Sequence, residues 1–184
     1  MLRLISGKYK GRKLAVPEGL GVRPTTDRMR ERIFSMLAHP RYPELYQARV
    51  ADLFAGTGAL GLEALSRGAA FVTFVEKSGK HTENLSQNIS LLEANQVTSV
   101  LKTSATSLPK ATAPYDLIFM DPPYNQGLAV PALYSAEESG WISEKTLIVM
   151  EVASGEMPEI DDRFSIVDDR KQGKQKILFI QVAS

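Results

Sequence analysis

The sequence contains no cysteine and only two histidines, His39 and His81. Without cysteine the chain cannot form a disulfide bond, a thiolate metal site, an iron–sulfur cluster or a cysteine nucleophile. Two histidines are too few for a histidine-based metal centre, so we predict no bound metal and expect both side chains at the surface.

Long hydrophobic runs are also missing. No apolar stretch approaches the roughly 20 residues of a membrane-spanning helix, and the first residues lack the apolar core and cleavage pattern of a secretory leader. We therefore expect a cytoplasmic protein that does not contact a membrane.

The chain has little excess charge of either sign. Its 22 Lys and Arg and 21 Asp and Glu leave a net charge of +1, which by itself argues against a strongly basic nucleic-acid-binding protein. The distribution is uneven, however. Residues 1–48 carry ten basic and four acidic side chains, a net charge of +6, and the rest of the chain carries −5. This asymmetry favours an anionic partner that contacts the amino-terminal part, with a solvated basic surface as the alternative.

The residues that are present fit one domain of the α/β class. The chain has 184 residues, of which 43% are hydrophobic, enough for a single substantial core. Residues 2–16 predict a basic β-hairpin and residues 25–38 a helix. From about residue 49 strands alternate with helices, and an antiparallel hairpin closes the chain, which predicts a sandwich with a mostly parallel sheet. The predicted strands before the hairpin are Val50–Phe54, Phe71–Val75, Gln96–Leu101, Tyr115–Met120 and Thr146–Met150. We divide the chain into a hairpin extension, residues 1–24, and a main domain, residues 25–184.

Three glycines form a Gly-x-Gly-x-x-Gly pattern between a predicted strand and a predicted helix: Gly56, Gly58 and Gly61. Glycines permit a tight turn close to a ligand, and the start of the helix presents free N–H groups. Glu76 ends the next predicted strand, where an acid can accept hydrogen bonds from a ribose diol. The pattern indicates a nucleoside-containing cofactor, and a purely structural turn is the alternative.

Asp52 distinguishes between two such cofactors. It lies in the strand directly before the glycines, where its carboxylate could pair with the ammonium group of a methionine moiety but would repel a pyrophosphate. The residue therefore favours S-adenosylmethionine over NAD.

A second motif, Asp121-Pro122-Pro123-Tyr124, follows a later predicted strand. The two prolines fix the backbone and remove two N–H donors, at the end of the strand where open α/β sheets bind ligands. Asp121 and the Pro122 carbonyl can together accept hydrogen bonds from one amino group, and Tyr124 can stack on a ring. The motif indicates methyl transfer to an exocyclic amine of a nucleobase, and a rigid turn is the alternative.

The two motifs resemble class I S-adenosylmethionine-dependent methyltransferases that modify amino groups of bases. Together with Gly7-Lys-Tyr-Lys-Gly-Arg-Lys-Leu14 and Arg23-Pro-Thr-Thr-Asp27, they resemble the RsmD family along nearly the whole chain. The resemblance implies a Rossmann-like sandwich that transfers one methyl group from S-adenosylmethionine to N2 of a guanine in 16S ribosomal RNA, in the small ribosomal subunit. We expect the enzyme to be a monomer.

The resemblance also implies roles for individual residues. The catalytic residues are Asp121, Pro122 and Tyr124. The cofactor-binding residues are Asp52, Phe54, Ala55, Gly56, Thr57, Gly58, Gly61, Glu76, Lys77, Ser104 and Ala105. The RNA-binding residues are Lys8, Lys10, Arg12, Lys13, Arg23, Arg28 and Arg32. Residues 103–105 lack the acid with which many such enzymes bind the adenine amine, so Ser104 or Ala105 takes that contact here. Glu151, at the end of a later strand, is expected to be structural.

Three other functions are weighed against this one. A DNA adenine-N6 or cytosine-N4 methyltransferase shares the Asp-Pro-Pro-Tyr motif, but no segment is free for the usual target-recognition insertion. A non-catalytic RNA-binding ribosome assembly factor would not need an intact Asp121 and an intact glycine loop. A dinucleotide oxidoreductase would need a histidine or lysine acid near the cleft, and none is evident.

Overall fold

The computed structural model describes residues 2–17 and 26–184. A short hairpin of β1 (Leu2–Arg3) and β2 (Lys13–Leu14) is followed by helix α1 (Asp27–Leu37). The other helices are α2 (Ala59–Ser66), α3 (Gly79–Leu91) and α4 (Ala129–Glu138). The other strands are β3 (Arg49–Leu53), β4 (Phe71–Val75), β5 (Thr98–Leu101), β6 (Leu117–Met120), β7 (Leu147–Ala153), β8 (Phe164–Gln172) and β9 (Gln175–Val182).

Seven strands form one mixed sheet in the order β5-β4-β3-β6-β7-β9-β8. The first five of these run parallel, and β9 runs antiparallel to both β7 and β8. Helices α1, α2 and α3 pack against one face, with Phe74 and Phe119, and α4 packs against the other, with Ile118 and Met150. The predicted α/β sandwich with a mostly parallel sheet and an antiparallel carboxyl-terminal hairpin is therefore confirmed.

Element boundaries differ from the predicted ones where local hydrogen bonds decide them. Helix α1 begins at Asp27 because the Thr26 side chain caps it by accepting a hydrogen bond from the Met29 N–H. Strand β5 begins at Thr98, two residues late, because Asn95–Val97 form a 3-10 turn. Strand β7 continues past Met150 to Ala153 because β9 supplies an antiparallel partner for the additional residues.

The amino-terminal hairpin packs against the rest of the chain. Leu2, Leu4 and Leu14 are buried in the same core as α1, α2 and α3. The division at residues 24 and 25 falls among residues that the structure does not describe, and it remains a prediction.

The topology places the β8–β9 turn at the same edge of the sheet as the loops that follow the parallel strands. The parallel strands all end at this edge, and the β8–β9 turn reaches it as well, because Ala153 at the end of β7 pairs with Gln175 at the start of β9. Ligands of open α/β sheets bind at this edge.

None of the helices within residues 2–17 and 26–184 has the length and apolar character needed to cross a lipid bilayer.

Candidate active site

A cavity of about 560 Å³ opens at the carboxyl edge of the parallel strands. Its walls come from the loops after β3, β4, β5 and β6 and from the ends of β7 and β9. The predicted site residues that line it are Asp52, Phe54, Ala55, Gly56, Thr57, Glu76, Lys77, Ser104, Ala105, Asp121, Pro122 and Tyr124. The strand topology therefore brings the two sequence motifs, 60 residues apart in the chain, into one cavity.

The loop after β3 has the unusual backbone angles expected of a tight ligand-binding turn. Phe54, Gly56 and Gly58 all have positive φ, at 65°, 55° and 81°. A positive φ is costly for a side chain as large as that of Phe54, so the surrounding structure must hold this conformation. No atom lies within 4 Å of the position a Cβ would take at Gly56, so the space beside this residue is open to a ligand.

The other two glycines of the pattern do not line the cavity. A Cβ at Gly58 would lie 2.4 Å from the Leu85 side chain, and a Cβ at Gly61 would lie 2.4 Å from the Phe74 ring. Both positions lack room for a side chain, which lets α2 pack closely against α3 and the sheet. In this structure Gly58 and Gly61 therefore determine how the loop and α2 pack against their neighbours.

Asp52 is almost completely buried, with 2% of its surface exposed. One carboxylate oxygen accepts a hydrogen bond of 2.9 Å from the Gly61 N–H and so ties β3 to α2. Burial raises the pKa of this carboxyl well above its usual range; the Gly61 hydrogen bond opposes the rise, and the charges of Asp121 and Glu76 add to it. Burial and the two neighbouring carboxyl groups therefore favour the protonated form of this acid.

The Glu76 side chain is held in place by two backbone N–H groups, one from the loop after β3 and one from the loop after β4. Its carboxylate accepts hydrogen bonds from the Gly56 N–H at 2.9 Å and from the Ser78 N–H at 2.8 Å. The His81 Nδ1 lies 3.6 Å from the same carboxylate. His81 lines the cavity and is partly buried, so the expectation that it lies at the surface was wrong. A histidine on a polar helix faces inward here because α3 starts beside Glu76.

Tyr124 is anchored by two residues to which sequence reasoning gave no functional role. Its hydroxyl donates a hydrogen bond of 2.7 Å to a Glu151 carboxylate oxygen, and the Gln175 side-chain amide donates to the same oxygen. Burial, followed by the hydrogen bond to Glu151, raises the pKa of the Tyr124 hydroxyl well above its usual value, so it stays protonated and donates.

Glu151 and Gln175 both line the cavity and are buried. The position of Glu151 at a strand end was visible in the sequence, but the pairing of β7 with β9 that brings Gln175 beside it was not. The expected structural role of Glu151 remains a prediction, and its hydrogen bond to Tyr124 was not foreseen.

Ser104 and Ala105 lie in the loop after β5, where no acid is present for the adenine amine. The Ser104 hydroxyl lies 2.8 Å from the Thr106 hydroxyl and also accepts a hydrogen bond from the Thr106 N–H. Both residues line the cavity, and their assignment to the adenine ring remains a prediction.

Six of the predicted RNA-binding cations are exposed: Lys8, Lys10, Arg12, Lys13, Arg28 and Arg32. Arg23 lies outside the residues that the structure describes. Arg30, which contributes to the positive charge of residues 1–48, is fully buried and donates hydrogen bonds to the Arg3 carbonyl and to Asp27. It is therefore a structural cation, and the basic surface is one charge smaller than the sequence suggests.

Comparison with known proteins gives one consistent family. The family model described as Conserved hypothetical protein 95 matches residues 2–181. The ribosomal RNA small subunit methyltransferase D of Escherichia coli K12 is 37% identical over 175 residues, covering 94% of this chain and 86% of that protein. The protein of the same name from Haemophilus influenzae is 32% identical over 176 residues, covering 94% and 89%. The solved structure of the Escherichia coli protein yhhF superposes with a TM-score of 0.86 at 36% identity, covering 99% of this chain and 98% of that one.

Proposed function

This chain belongs to the RsmD family, and from that premise we propose that it is an RNA methyltransferase that uses S-adenosylmethionine to methylate the exocyclic N2 of a guanine in 16S ribosomal RNA. The observation that carries the proposal is the meeting of the glycine loop and the Asp121-Pro-Pro-Tyr124 motif in one cavity. A cofactor loop beside an amine-accepting motif is the arrangement that methyl transfer to a base requires.

The cavity fits S-adenosylmethionine by its charge. Asp52, Glu76 and Asp121 all line it, and the charges of the latter two raise the pKa of Asp52. A ligand that carries cationic ammonium and sulfonium groups would relieve this repulsion, whereas the pyrophosphate of NAD would increase it. We assign Asp52 to the methionine moiety, Glu76 to the ribose, residues 54–57 with Lys77 to the loop contacts, and Ser104 and Ala105 to the adenine.

When bound, S-adenosylmethionine supplies an electrophilic methyl group. The Asp121 carboxylate and the Pro122 carbonyl each accept a hydrogen bond from the guanine amino group. This contact draws the nitrogen out of conjugation with the ring and orients its lone pair toward the cofactor. The nitrogen must lose one proton when it gains the methyl group, and the Asp121 carboxylate is the acceptor that we assign.

Tyr124 provides a flat surface for the base. Its hydroxyl is held by Glu151, so the ring cannot turn freely, and a base rotated out of an RNA loop can stack on it. Stacking on an aromatic side chain contributes about 1–3 kcal/mol per base.

The test is transfer of radiolabelled methyl groups to unmodified 16S ribosomal RNA and to unmodified small subunits, followed by nucleoside analysis. We expect N2-methylguanosine as the product. N6-methyladenosine would instead identify an adenine methyltransferase, and no transfer with intact RNA binding would favour a non-catalytic assembly factor.

Calorimetry tests the cofactor separately. We expect the protein to bind S-adenosylmethionine and to show no comparable affinity for NAD, and the opposite order would refute the cofactor assignment.

The proposal also includes the form of the RNA substrate and the state of the enzyme. A single domain of this size offers little surface for reading RNA sequence, so we propose that the small subunit presents the target nucleotide to a monomeric enzyme in the cytoplasm. Residues 1–24 form the RNA-binding extension in this scheme.

A further inference from the structure

No described residue of the amino-terminal hairpin lines the cavity. The Lys8 N–H donates a hydrogen bond of 2.7 Å to the carbonyl of Ser66, the last residue of α2. The first residue of α2, Ala59, lines the cavity. A helix rises about 1.5 Å per residue, so the hairpin loop lies about one helix length from the cavity.

The β8–β9 turn, in contrast, borders the cavity directly. Gln175, which starts β9, lines the cavity and donates a hydrogen bond to Glu151. Lys174 is the residue before it, and the Lys174 carbonyl accepts a hydrogen bond of 2.9 Å from the Ser154 N–H, just past the end of β7. The side chain of Lys174 is exposed, as is that of Lys171 in the same hairpin.

Helix α1 adds a third cation at this place. The Arg32 guanidinium donates a hydrogen bond of 3.3 Å to the Gln172 side chain, at the end of β8. We refer to Arg32, Lys171 and Lys174 as the turn cluster. In the described part of the chain, none of these three side chains lies within ion-pairing distance of a carboxylate. Arg170, nearby, is different because its charge is paired with Asp168.

The cavity itself is acidic and favours cations over RNA phosphates. Four carboxyl groups line it, those of Asp52, Glu76, Asp121 and Glu151, against one lysine, Lys77. A nucleotide that rotates out of its stack moves about its own backbone, so its two flanking phosphates stay at the cavity mouth. Cations at the rim are needed there to offset the repulsion by the acidic interior.

We propose that the turn cluster binds the phosphates that flank the target nucleotide and thereby seats the base against Tyr124 and Asp121. The inference rests on the proposed function for the identity of the RNA, and it assigns to the carboxyl-terminal hairpin a contact separate from that of the amino-terminal hairpin. Arg32 was already a predicted RNA contact, whereas Lys171 and Lys174 are new.

The experiment compares two double variants of the full chain. Lys171→Ala with Lys174→Ala removes the two new cations. Lys110→Ala with Lys145→Ala is the matched control, because both of these lysines are also exposed. The control lysines lie toward the opposite edge, since Lys110 bonds the carbonyl of Glu138, the last residue of α4, and Lys145 precedes the start of β7.

Each variant is measured for direct binding to unmodified 16S ribosomal RNA over a series of salt concentrations, and for methyl transfer to that RNA. For the turn variant we expect RNA affinity about tenfold weaker, a KM for RNA raised to match, and a salt dependence reduced by about 1.5 in slope. The affinity for S-adenosylmethionine should stay unchanged. The control variant should behave as the unmodified chain.

Two results would overturn the proposal: equal losses in both variants, which would indicate a general charge effect, or no loss in the turn variant. Failure of the proposed function is recognised separately, because the unmodified chain would then transfer no methyl group. The direct binding measurement reports on the turn cluster even in that case.

Discussion

The carboxyl groups of the cavity have different surroundings, and these give them different properties. Asp52 is buried and bonded to one N–H group, Glu76 is bonded to two, and Asp121 follows a strand at a rigid Pro-Pro turn. A buried acid with a raised pKa suits contact with a cationic ligand, whereas a backbone-bonded carboxylate suits recognition of hydroxyl groups. The three acids are therefore expected to respond differently to substitution.

Asp121→Ala should lower the methyl transfer rate by at least about 100-fold, because it removes the acceptor that orients the amino group. The affinity for S-adenosylmethionine should stay within severalfold. Single-turnover kinetics and calorimetry measure the two quantities. Unchanged turnover would show that Asp121 does not act on the amine.

Asp52→Asn should change how stability depends on pH. The folded chain holds the Asp52 proton to a higher pH than the unfolded chain does, because burial raises the pKa of this carboxyl. Its contribution to stability is therefore complete below the usual aspartate pKa of about 3.9 and is lost as pH rises through the folded pKa. An asparagine keeps an oxygen for the Gly61 N–H and does not ionise.

We expect the free energy of unfolding of Asp52→Asn, relative to the unmodified chain, to increase as pH rises above about 4, measured by denaturant titration without ligand. The same variant should bind S-adenosylmethionine more weakly. A stability difference that is constant with pH would mean that Asp52 ionises with an ordinary pKa.

Glu151 and Tyr124 should act as a pair. Tyr124→Phe keeps the ring but removes the hydroxyl that bonds Glu151, and Glu151→Ala removes the other partner. Each change should lower kcat by about tenfold, and the double variant should be little worse than either one, with a coupling of about 1.4 kcal/mol, the equivalent of one tenfold factor. Steady-state kinetics on RNA test this. Losses that simply multiply would show that the two residues do not act through their hydrogen bond.

At the scale of elements, helix α2 connects the cofactor loop to the amino-terminal hairpin. Its Glu63, which is fully buried, accepts hydrogen bonds from the N–H groups of Ile5 and Ser6. The Ser66 hydroxyl accepts a hydrogen bond from the Tyr9 N–H and donates one to the Ser6 carbonyl. Buried polar groups paired in this way hold the hairpin in one position on the helix.

Two glycines of the hairpin loop allow this docking to be tested with a matched control. Gly7 and Gly11 have nearly the same φ, at 83° and 82°, but a Cβ at Gly7 would lie 1.8 Å from the Ser66 carbonyl oxygen, whereas a Cβ at Gly11 meets nothing within 4 Å. Gly11→Ala should lower the free energy of unfolding by about 1–2 kcal/mol through backbone strain alone. Gly7→Ala should cost about 1–3 kcal/mol more, because the hairpin must move off the helix.

Denaturant unfolding measures both variants, and hydrogen exchange at Lys8 and Tyr9 reports the docking itself. Equal costs for the two substitutions would mean that the contact between Gly7 and Ser66 does not hold the hairpin.

The elements were largely predictable, and their contacts across the sheet were not. The strand Phe71–Val75 was predicted from its run of apolar residues, and both of its ends were predicted correctly. The extension of β7 to Ala153 and the contact between Glu151 and Gln175 depend on which strands pair, which is a property of the whole sheet. The position of His81 beside Glu76 likewise follows from the packing of α3 and has no signal in the local sequence.

At the scale of the whole molecule, the near-neutral charge is the sum of separate regions. The basic hairpin lies at one end of α2, the acidic cavity lies at the other, and the β8–β9 turn adds exposed cations beside the cavity. An RNA that reaches Asp121 while contacting Lys8 must extend along α2, so the two basic surfaces would contact different phosphates of one molecule.

Replacing Lys8, Lys10, Arg12 and Lys13 with alanine should therefore weaken binding of 16S ribosomal RNA and reduce the slope of its salt dependence by about 3, since each lost phosphate contact lowers the slope by about 0.7–0.9. Binding of S-adenosylmethionine should not change. Because the hairpin loop bonds the last residue of α2 whereas the β8–β9 turn borders the cavity at the start of that helix, combining these changes with Lys171→Ala and Lys174→Ala should add the two losses in binding free energy. Filter binding over a salt series measures all three variants.

A slope that stays constant in the hairpin variant would exclude the hairpin from the RNA interface. A combined loss no larger than that of one set alone would mean that the two surfaces do not bind the same RNA at the same time.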